Sequence, residues 1–248
     1  MKKGEIIAVV NHKGGVGKTS TVVNIGAILA SQGKKVLLVD LDTQANLTMS
    51  FMDTIPNRII YHAIQDRANL PVENIRKNLD LVPSGLDMAG IVSLMTSMRR
   101  REYILKDLLE PIKNRYDYVF LDCPPNLELI TLNALSAATK MLVPMKADLL
   151  SDYGLSMLDK FCADMQDLNP GIHVDLIFFN IYEKSTVTDA IEADVRQKYG
   201  DRVAATVVRK NVDISKAGFE YTDVVSYNKD ANGAKDFRAL VDELVEKL

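Results

Sequence analysis

The sequence predicts an α/β fold, a doubly wound, mostly parallel sheet flanked by helices, on three observations. Short apolar runs recur along the chain, segments with helical spacing lie between them, and the first run leads straight into a glycine-rich loop and a helix. Runs that are apolar throughout, without polar alternation, are the mark of strands covered on both faces of a parallel sheet. Strands alternating with helices require crossover connections, which are right-handed in nearly all known cases.

In order, the runs that read as strands are "EIIAVV" (5–10), "KVLLVD" (35–40), "LDLVP" (79–83), "YDYVFLD" (116–122), "KMLVPM" (140–145), "HVDLIFFN" (173–180) and "RVAATVV" (202–208). Helical spacing covers 18–32, 100–115, 127–138, 152–168 and 186–199. No repeat, low-complexity tract or Gly/Pro/Ser-rich linker interrupts them, so the chain reads as one domain over 1–248. The closing stretch "GAKDFRALVDELVEKL" places Phe237, Leu240, Val241, Leu244, Val245 and Leu248 on one helical face. Its polar face carries Asp236, Asp242, Glu243 and Glu246 against Lys235, Arg238 and Lys247. Anionic lipid repels an acidic face, so this is expected to be a terminal helix docked on the core, with no membrane contact.

Composition narrows the function classes. With 248 residues, 47% of them hydrophobic and 25% charged, the chain can bury a sizeable core. A net charge of −3 and a pI near 5.7 exclude a global basic field, so any nucleic-acid contact must come from a local patch. Cys123 and Cys162 make neither a disulfide framework nor a metal cluster and read as buried, reduced thiols. The opening apolar run, Ile6 to Val10, is too short for a signal peptide, and no stretch has the length of a membrane span. The expected location is cytoplasmic.

Chemistry enters with "NHKGGVGKTS" (11–20). A phosphate loop is written G-x-x-x-x-G-K-[ST]: backbone N–H groups cradle the phosphates and the lysine neutralises them. Counting back from Lys18, His12 takes the place of the leading glycine, while Gly14, Gly15 and Gly17 allow close backbone approach. Thr19 offers a hydroxyl to Mg²⁺, and the positive end of the following helix points at the anion. The candidate ATP-binding stretch is Lys13, Gly14, Gly15, Val16, Gly17, Lys18, Thr19 and Ser20.

"KGGVGKTS" resembles the deviant Walker A motif, K-G-G-x-G-K-[ST], of the ParA/MinD class of P-loop ATPases. The resemblance implies a P-loop NTPase fold with ATP and Mg²⁺ as cofactors, and a homodimer in the ATP state. Lys13 stands at the signature lysine, which in that family reaches the partner's phosphates. "VLLVDLDTQANLT" (36–48) resembles the family motif D-x-D-P-Q-x-N, with Thr43 in place of the proline. By position Asp40 belongs to the Mg²⁺ shell and Asp42 positions the attacking water, which makes Lys13, Lys18 and Asp42 the implied catalytic set. From the residues alone, Asp40 and Asp42 equally end a strand and begin a turn. "YDYVFLDCPPNLELITLNALSAA" (116–138) resembles the Walker B strand and second switch, with Asp122 near Mg²⁺ through water and Pro124 and Pro125 stiffening the turn.

The resemblance continues through "LVPMKADLLSDYGLSML" to "FFNIYEKST", where Asn180 either contacts the adenine base or caps a turn. "VVRKNVDISKAG" (207–218) lies over the family's I-P-R-N-V-x-L-S-E-A-P stretch, with Arg209 on the proline and Lys210 on the arginine. Arg209 is a candidate for both ATP and DNA contact, Lys210 and Lys216 for DNA, with Arg196, Lys198 and Arg202 behind them. The basic run at 99–101 reads as a solvated face. The likeness spans nearly the whole chain and fits the short, Soj-like branch without an N-terminal helix-turn-helix. It implies a slow ATPase serving plasmid or chromosome partition: the ATP-bound sandwich dimer binds non-specific DNA, associating with the nucleoid, and a ParB-like partner stimulates hydrolysis and release. Positioning of another cargo, or service to a mobile element, is the alternative within the family. A MinD-like membrane switch conflicts with the acidic terminal helix, a nitrogenase-type electron carrier lacks CxxC, and a GTPase lacks N-K-x-D.

Overall fold

The computed structural model describes residues 4–148 and 151–247. Its strands are β1 (Glu5–Val9), β2 (Val36–Asp40), β3 (Glu73–Arg76), β4 (Leu79–Val82), β5 (Tyr118–Asp122), β6 (Lys140–Met145) and β7 (Leu176–Phe179). The helices are α1 (Lys18–Ser31), α2 (Asn46–Met49), α3 (Ile60–Asp66), α4 (Ile91–Thr96), α5 (Ile104–Leu109) and α6 (Leu129–Ala137). They continue with α7 (Ser151–Asp164), α8 (Thr186–Tyr199), α9 (Val212–Phe219), α10 (Val224–Tyr227) and α11 (Asn232–Lys247). The sheet order is β3-β4-β2-β5-β1-β6-β7, parallel throughout except for the β3–β4 pair at one edge.

Successive residues of each strand point to opposite faces, and both faces are apolar. Ile7, Val9, Leu38 and Phe120 pack with Ile25 and Leu29 of α1 and Phe237 and Leu240 of α11. Ile6, Ala8, Leu37 and Leu121 join the other layer, built from α3 to α8. Two such helix layers explain why the inner strands carry no polar alternation. In α11, Ala234, Phe237, Leu240, Val241 and Leu244 are buried, as expected for docking on the core, whereas Val245 is exposed and Leu248 lies outside the described residues. Fully burying a side chain such as Leu or Phe contributes roughly 1.5–3 kcal/mol. Among the described residues no helix is long and apolar enough to cross a membrane. Cys123 and Cys162 are buried free thiols, and burial pushes Cys162 up to about 12.

The structure differs from the sequence expectation at several elements. Residues 202–208 form no strand; they meet β7 through a bridge of Val203 to Ile177 and the N–H groups of Ala204 and Val208, which donate to the Ile177 and Phe179 carbonyls (2.7 and 2.8 Å), with Arg209 bridging Tyr182 beyond. The amides that would continue the ladder are diverted, since Ala205 and Thr206 donate their N–H groups to the Glu243 carboxylate on α11 (2.7 and 3.0 Å). The segment 100–115 is not one helix but α5 between short 3₁₀ turns, because Pro111 cannot donate to the helical ladder. The helix expected over 152–168 ends at Asp164. The edge strand β3, "ENIR", is polar enough to escape an apolar-run search.

Strand register positions the site. Val9 and Asp40 both stand beside Asp122 in the ladder, so β1, β2 and β5 end together and their following loops share one edge. From β1 the chain departs toward β2, and from its neighbour β6 toward β7 on the other side. The crevice beyond the carboxyl ends of β1 and β6 is thus a topological switch point, the usual place for a ligand in an open α/β sheet.

Candidate functional site

After β1 the chain turns through a loop held from below. Asn11, buried, donates its side-chain N–H to the Pro144 carbonyl on β6 (2.9 Å) and accepts the Lys13 N–H (2.9 Å). Gly15 and Gly17 adopt φ of +69° and +86°, where a side chain is strained, and a Cβ on Gly17 would collide with the Asn180 amide. Helix α1 begins with Gly17 as its cap and no side-chain cap bond. Its first-turn N–H groups therefore have no intrahelical acceptor and sit at the positive end of the helix dipole, a cradle shaped for an anion. Buried Lys18 reaches back across the loop, its Nζ donating to the carbonyls of Asn11 (3.0 Å) and Lys13 (3.2 Å). Burial lowers its pKa, while the Asp122 and Asp42 carboxylates act to raise it.

Three carboxylates, Asp122, Asp40 and Asp42, gather at and just beyond the adjacent ends of β5 and β2. Asp122 Oδ2 accepts the Thr19 hydroxyl (2.7 Å), and its Oδ1 is buried with no hydrogen-bond partner among the described residues. Burial, then the charge of Asp40, pushes the Asp122 carboxyl well above the ordinary range. That unpartnered oxygen beside the Thr19 hydroxyl fits Mg²⁺, which takes hard oxygen donors, few of them from protein, and completes its shell with phosphate and water. Among the described residues no cluster of three or more His, Cys, Asp or Glu could hold a metal.

Asp40, expected in the Mg²⁺ shell, stands at the end of β2 beside Asp122. It is fully buried, and both oxygens are engaged within its own loop: Oδ1 accepts the Asp42 N–H (3.1 Å), and Oδ2 accepts the Thr48 N–H (2.8 Å) and hydroxyl (2.7 Å). Burial chiefly raises its pKa, to about 6. Asp42 is half-buried, with Oδ1 accepting the Gln44 N–H (3.0 Å) and its carbonyl accepting the Ser84 hydroxyl (2.6 Å).

Lys13, the second lysine of the loop, crosses the switch point to Asp148 in the segment after β6, with Nζ 2.5 Å from Oδ2. Each side chain is about one-third exposed, at 36% and 34%. Asn180 does not present its amide outward for a base. It is buried beneath the loop, donating to the Val16 carbonyl (2.9 Å) and accepting the Ile181 N–H (2.9 Å). Arg209 is turned onto Asp236 in a two-pronged pair (2.9 and 2.7 Å), Lys210 meets Glu183 at 3.1 Å, and Lys216 lies 4.0 Å from Asp213. The three basic candidates thus sit on α9 and the segment before it, each beside a carboxylate. In the 99–101 run, Arg100 pairs with Asp107 and Arg101 with Glu102, as a solvated face does.

A cleft of about 490 Å³ opens beside Thr19 and Ser20, between α1, α2 and α9, with Asn24, Met49, Ile214 and Phe219 on its walls. Sequence reasoning missed this cleft along with Asn11, Thr48, Ser84 and Asp148. Of these, Asn11, Thr48 and Asp148 lie inside quoted stretches, but the partners of Asp148 and Ser84 depend on which strands are neighbours.

A glycine loop leading from a central strand, a buried lysine over a helix N-terminus, and a hydroxyl–carboxylate pair define a P-loop nucleotide site of the deviant Walker A class. A family model described as an AAA domain matches residues 4–174. The chromosome-partitioning ATPase Soj of Treponema pallidum is 32% identical over 253 residues, covering 98% of each chain. Cobyrinic acid a,c-diamide synthase from Mycobacterium smegmatis, with bound ATP analog and magnesium, superposes with a TM-score of 0.84 at 30% identity, over 98% of this chain and 95% of that one. A plasmid partition protein from Borrelia burgdorferi gives 0.82 at 25% identity over 100% of both. The chain belongs to the ParA/Soj family of P-loop ATPases.

Proposed function

We propose that the chain is an ATP-dependent dimeric switch for plasmid or chromosome partition, binding non-specific DNA as the ATP-bound dimer and leaving it after partner-stimulated hydrolysis. The observation that supports this reading best is the pairing of a complete phosphate loop with a second lysine at its outer face, Lys13, which the loop's own cradle does not require. Bound Mg²⁺ would polarise the terminal phosphoryl group and offset its charge. Thr19 and Asp122 would hold that cation, Lys18 and the first amides of α1 would hold the phosphates, and Asp42 would orient the attacking water. The nucleoside occupies the cleft beside Ser20, where Ile214 and Phe219 offer apolar contact. Asn180 then serves the nucleotide from behind, by fixing the loop.

In the protomer Lys13 is held by its own Asp148, so reaching a partner's phosphates requires that pair to open. The two negatively charged nucleotide faces repel each other, and a lysine offered across the interface offsets that repulsion. DNA contact falls to Lys210, Lys216 and Arg209, which remain about half exposed or more (62%, 55% and 48%) despite their carboxylate neighbours. Exposed ion pairs are weak enough to exchange a carboxylate for a DNA phosphate. A ParB-like partner is expected to stimulate turnover.

The test is sedimentation of the purified protein with ATP and Mg²⁺, with and without DNA of unrelated sequence. ATP should produce a dimer, and the dimer should pellet with DNA at low salt and detach steeply as salt rises. A protein that dimerises with ATP yet never associates with DNA at low salt would defeat partition by DNA tethering while leaving the ATPase intact.

A further inference from the structure

The segment that carries Asp42 is closed into a ring of hydrogen bonds with Asp40, Thr48 and Ser84. Asp40, at the end of β2, accepts the Asp42 N–H and, with its other oxygen, the Thr48 N–H and hydroxyl. Thr48 Oγ1, fully buried, in turn accepts the Ser84 N–H (2.9 Å) from the segment after β4, the strand beside β2. Ser84, also fully buried, completes the ring by donating its hydroxyl to the Asp42 carbonyl (2.6 Å). Asp42 is therefore gripped at both of its peptide groups, on the N–H side by Asp40 and on the carbonyl side by Ser84, which shares that oxygen with the Ala45 N–H (3.1 Å). Its side chain, capped at Oδ1 by the Gln44 N–H, is the part left to face the loop, where its charge is felt by Lys18.

We infer that Thr48 and Ser84 are positioning residues for Asp42, fixing its main chain so that the carboxylate is aimed at the phosphate loop before nucleotide arrives. This rests on the reading of Asp42 as the water-orienting group. Hydroxyls suit the task for a physical reason. The Thr48 hydroxyl donates to Asp40 and accepts the Ser84 N–H at once, so it links the two, and neither a methyl nor a carboxylate could replace both bonds. The Thr43 that stands where the family has proline makes such a brace more consequential, because the turn lacks a ring to restrict it. A grip on the main chain alters the orientation of the water-holding carboxylate without touching the groups that bind phosphate. Its loss therefore acts on turnover and spares nucleotide affinity.

The experiment compares Ser84→Ala, Thr48→Val and Thr48→Ser with the parent chain and with Asp42→Ala. It measures single-turnover ATP hydrolysis, fluorescent-nucleotide affinity and thermal melting. Ser84→Ala removes only the bond to the Asp42 carbonyl, because the Ser84 N–H to Thr48 survives; Thr48→Val is near-isosteric and breaks the ring at its centre. Both should lower the hydrolysis rate by about tenfold with nucleotide Kd within about twofold of the parent, and Thr48→Ser should restore most of the rate. If Asp42→Ala abolishes hydrolysis while Ser84→Ala and Thr48→Val, folded, hydrolyse at the parent rate, the positioning role is wrong and the role of Asp42 stands. Equal loss of rate and affinity, or a Thr48→Ser no better than Thr48→Val, also overturns it by marking a general structural effect. An Asp42→Ala chain as fast as the parent overturns both.

Discussion

The Lys13–Asp148 pair gives the dimeric reading a quantity to measure. Asp148→Asn keeps the shape of the side chain and removes its charge, so Lys13 loses its partner within the protomer. At 2.5 Å the contact is close, but both side chains are about one-third exposed, and water and salt screen most of the Coulomb energy. A pair of that exposure contributes about 1 kcal/mol. A symmetric dimer must open two of them, so the substitution relieves about 2 kcal/mol of the free energy that opposes assembly. With 1.4 kcal/mol per factor of ten, ATP-dependent dimerisation should tighten about 30-fold.

The assay is sedimentation equilibrium in a non-hydrolysable ATP analogue and Mg²⁺, at low and at moderate salt. The gain should shrink as salt rises, since salt already weakens the pair in the parent chain. Repeating the substitution in a Lys13→Ala background separates causes, because the part of the gain that comes from releasing Lys13 is absent there. An Asp148→Asn dimer no tighter than the parent, or an equal gain in the Lys13→Ala background, would refute the reasoning.

Lys13→Ala itself should bind nucleotide within about threefold of the parent yet lose ATP-dependent dimerisation, read by light scattering. Asn180→Ala leaves the Val16 carbonyl unpaired inside the protein, which costs about 1–3 kcal/mol, so the melting temperature and nucleotide affinity should fall together; a base-contacting Asn180 would instead lose affinity and adenine preference at unchanged stability. Asp236→Ala frees Arg209 from its paired carboxylate, and the slope of log affinity for DNA against log salt should steepen by about one if Arg209 contacts phosphate. Without nucleotide or Mg²⁺, stability should fall as pH rises from about 4 to about 6. Asp40 binds its proton more tightly folded, at about 6, than unfolded, near 3.8, so the folded state holds more protons across that window. Raised Asp122 adds in the same direction, and Asp40 alone amounts to roughly 3 kcal/mol. Urea melts at pH 4.5 and 6.5 in EDTA, repeated with Mg²⁺ and ATP to offset the repulsion, test the sign.

How much of this was legible in the sequence depends on where the partners of each group lie along the chain. The phosphate loop could be read because its parts must be contiguous: a strand end, glycines at positive φ and a helix N-terminus make the cradle only when they follow one another. The sheet's inner strands could be read because burial on both faces leaves an apolar run. What escaped was made by neighbours distant in sequence. Lys13 meets Asp148 across 135 residues, Asn180 meets Val16 across 164, and Ser84 meets Asp42 across 42. Each of these contacts follows from the order of strands, which a list of runs does not contain. Residues 202–208 were misread for the related reason that a strand needs free amides, and Glu243, some forty residues away, had taken two of them.

Asp40 and Asp122 show the same point at the level of chemistry. Both end apolar strands, both are buried, and they stand side by side in register, so no pattern of residues distinguishes their tasks. The donors around them do. Thr48 and the Asp42 N–H engage both oxygens of Asp40 within its own loop, whereas Asp122 meets a single hydroxyl and keeps one oxygen without a partner among the described residues. Two neighbouring carboxylates that repel each other are tolerable when one is satisfied by fixed donors and the other is left for a cation. On the proposed roles, the division of labour among the acids is set by Thr48 and Thr19, two hydroxyls on different elements. Replacing either should disturb a different function: turnover for Thr48, and Mg²⁺-dependent nucleotide binding for Thr19.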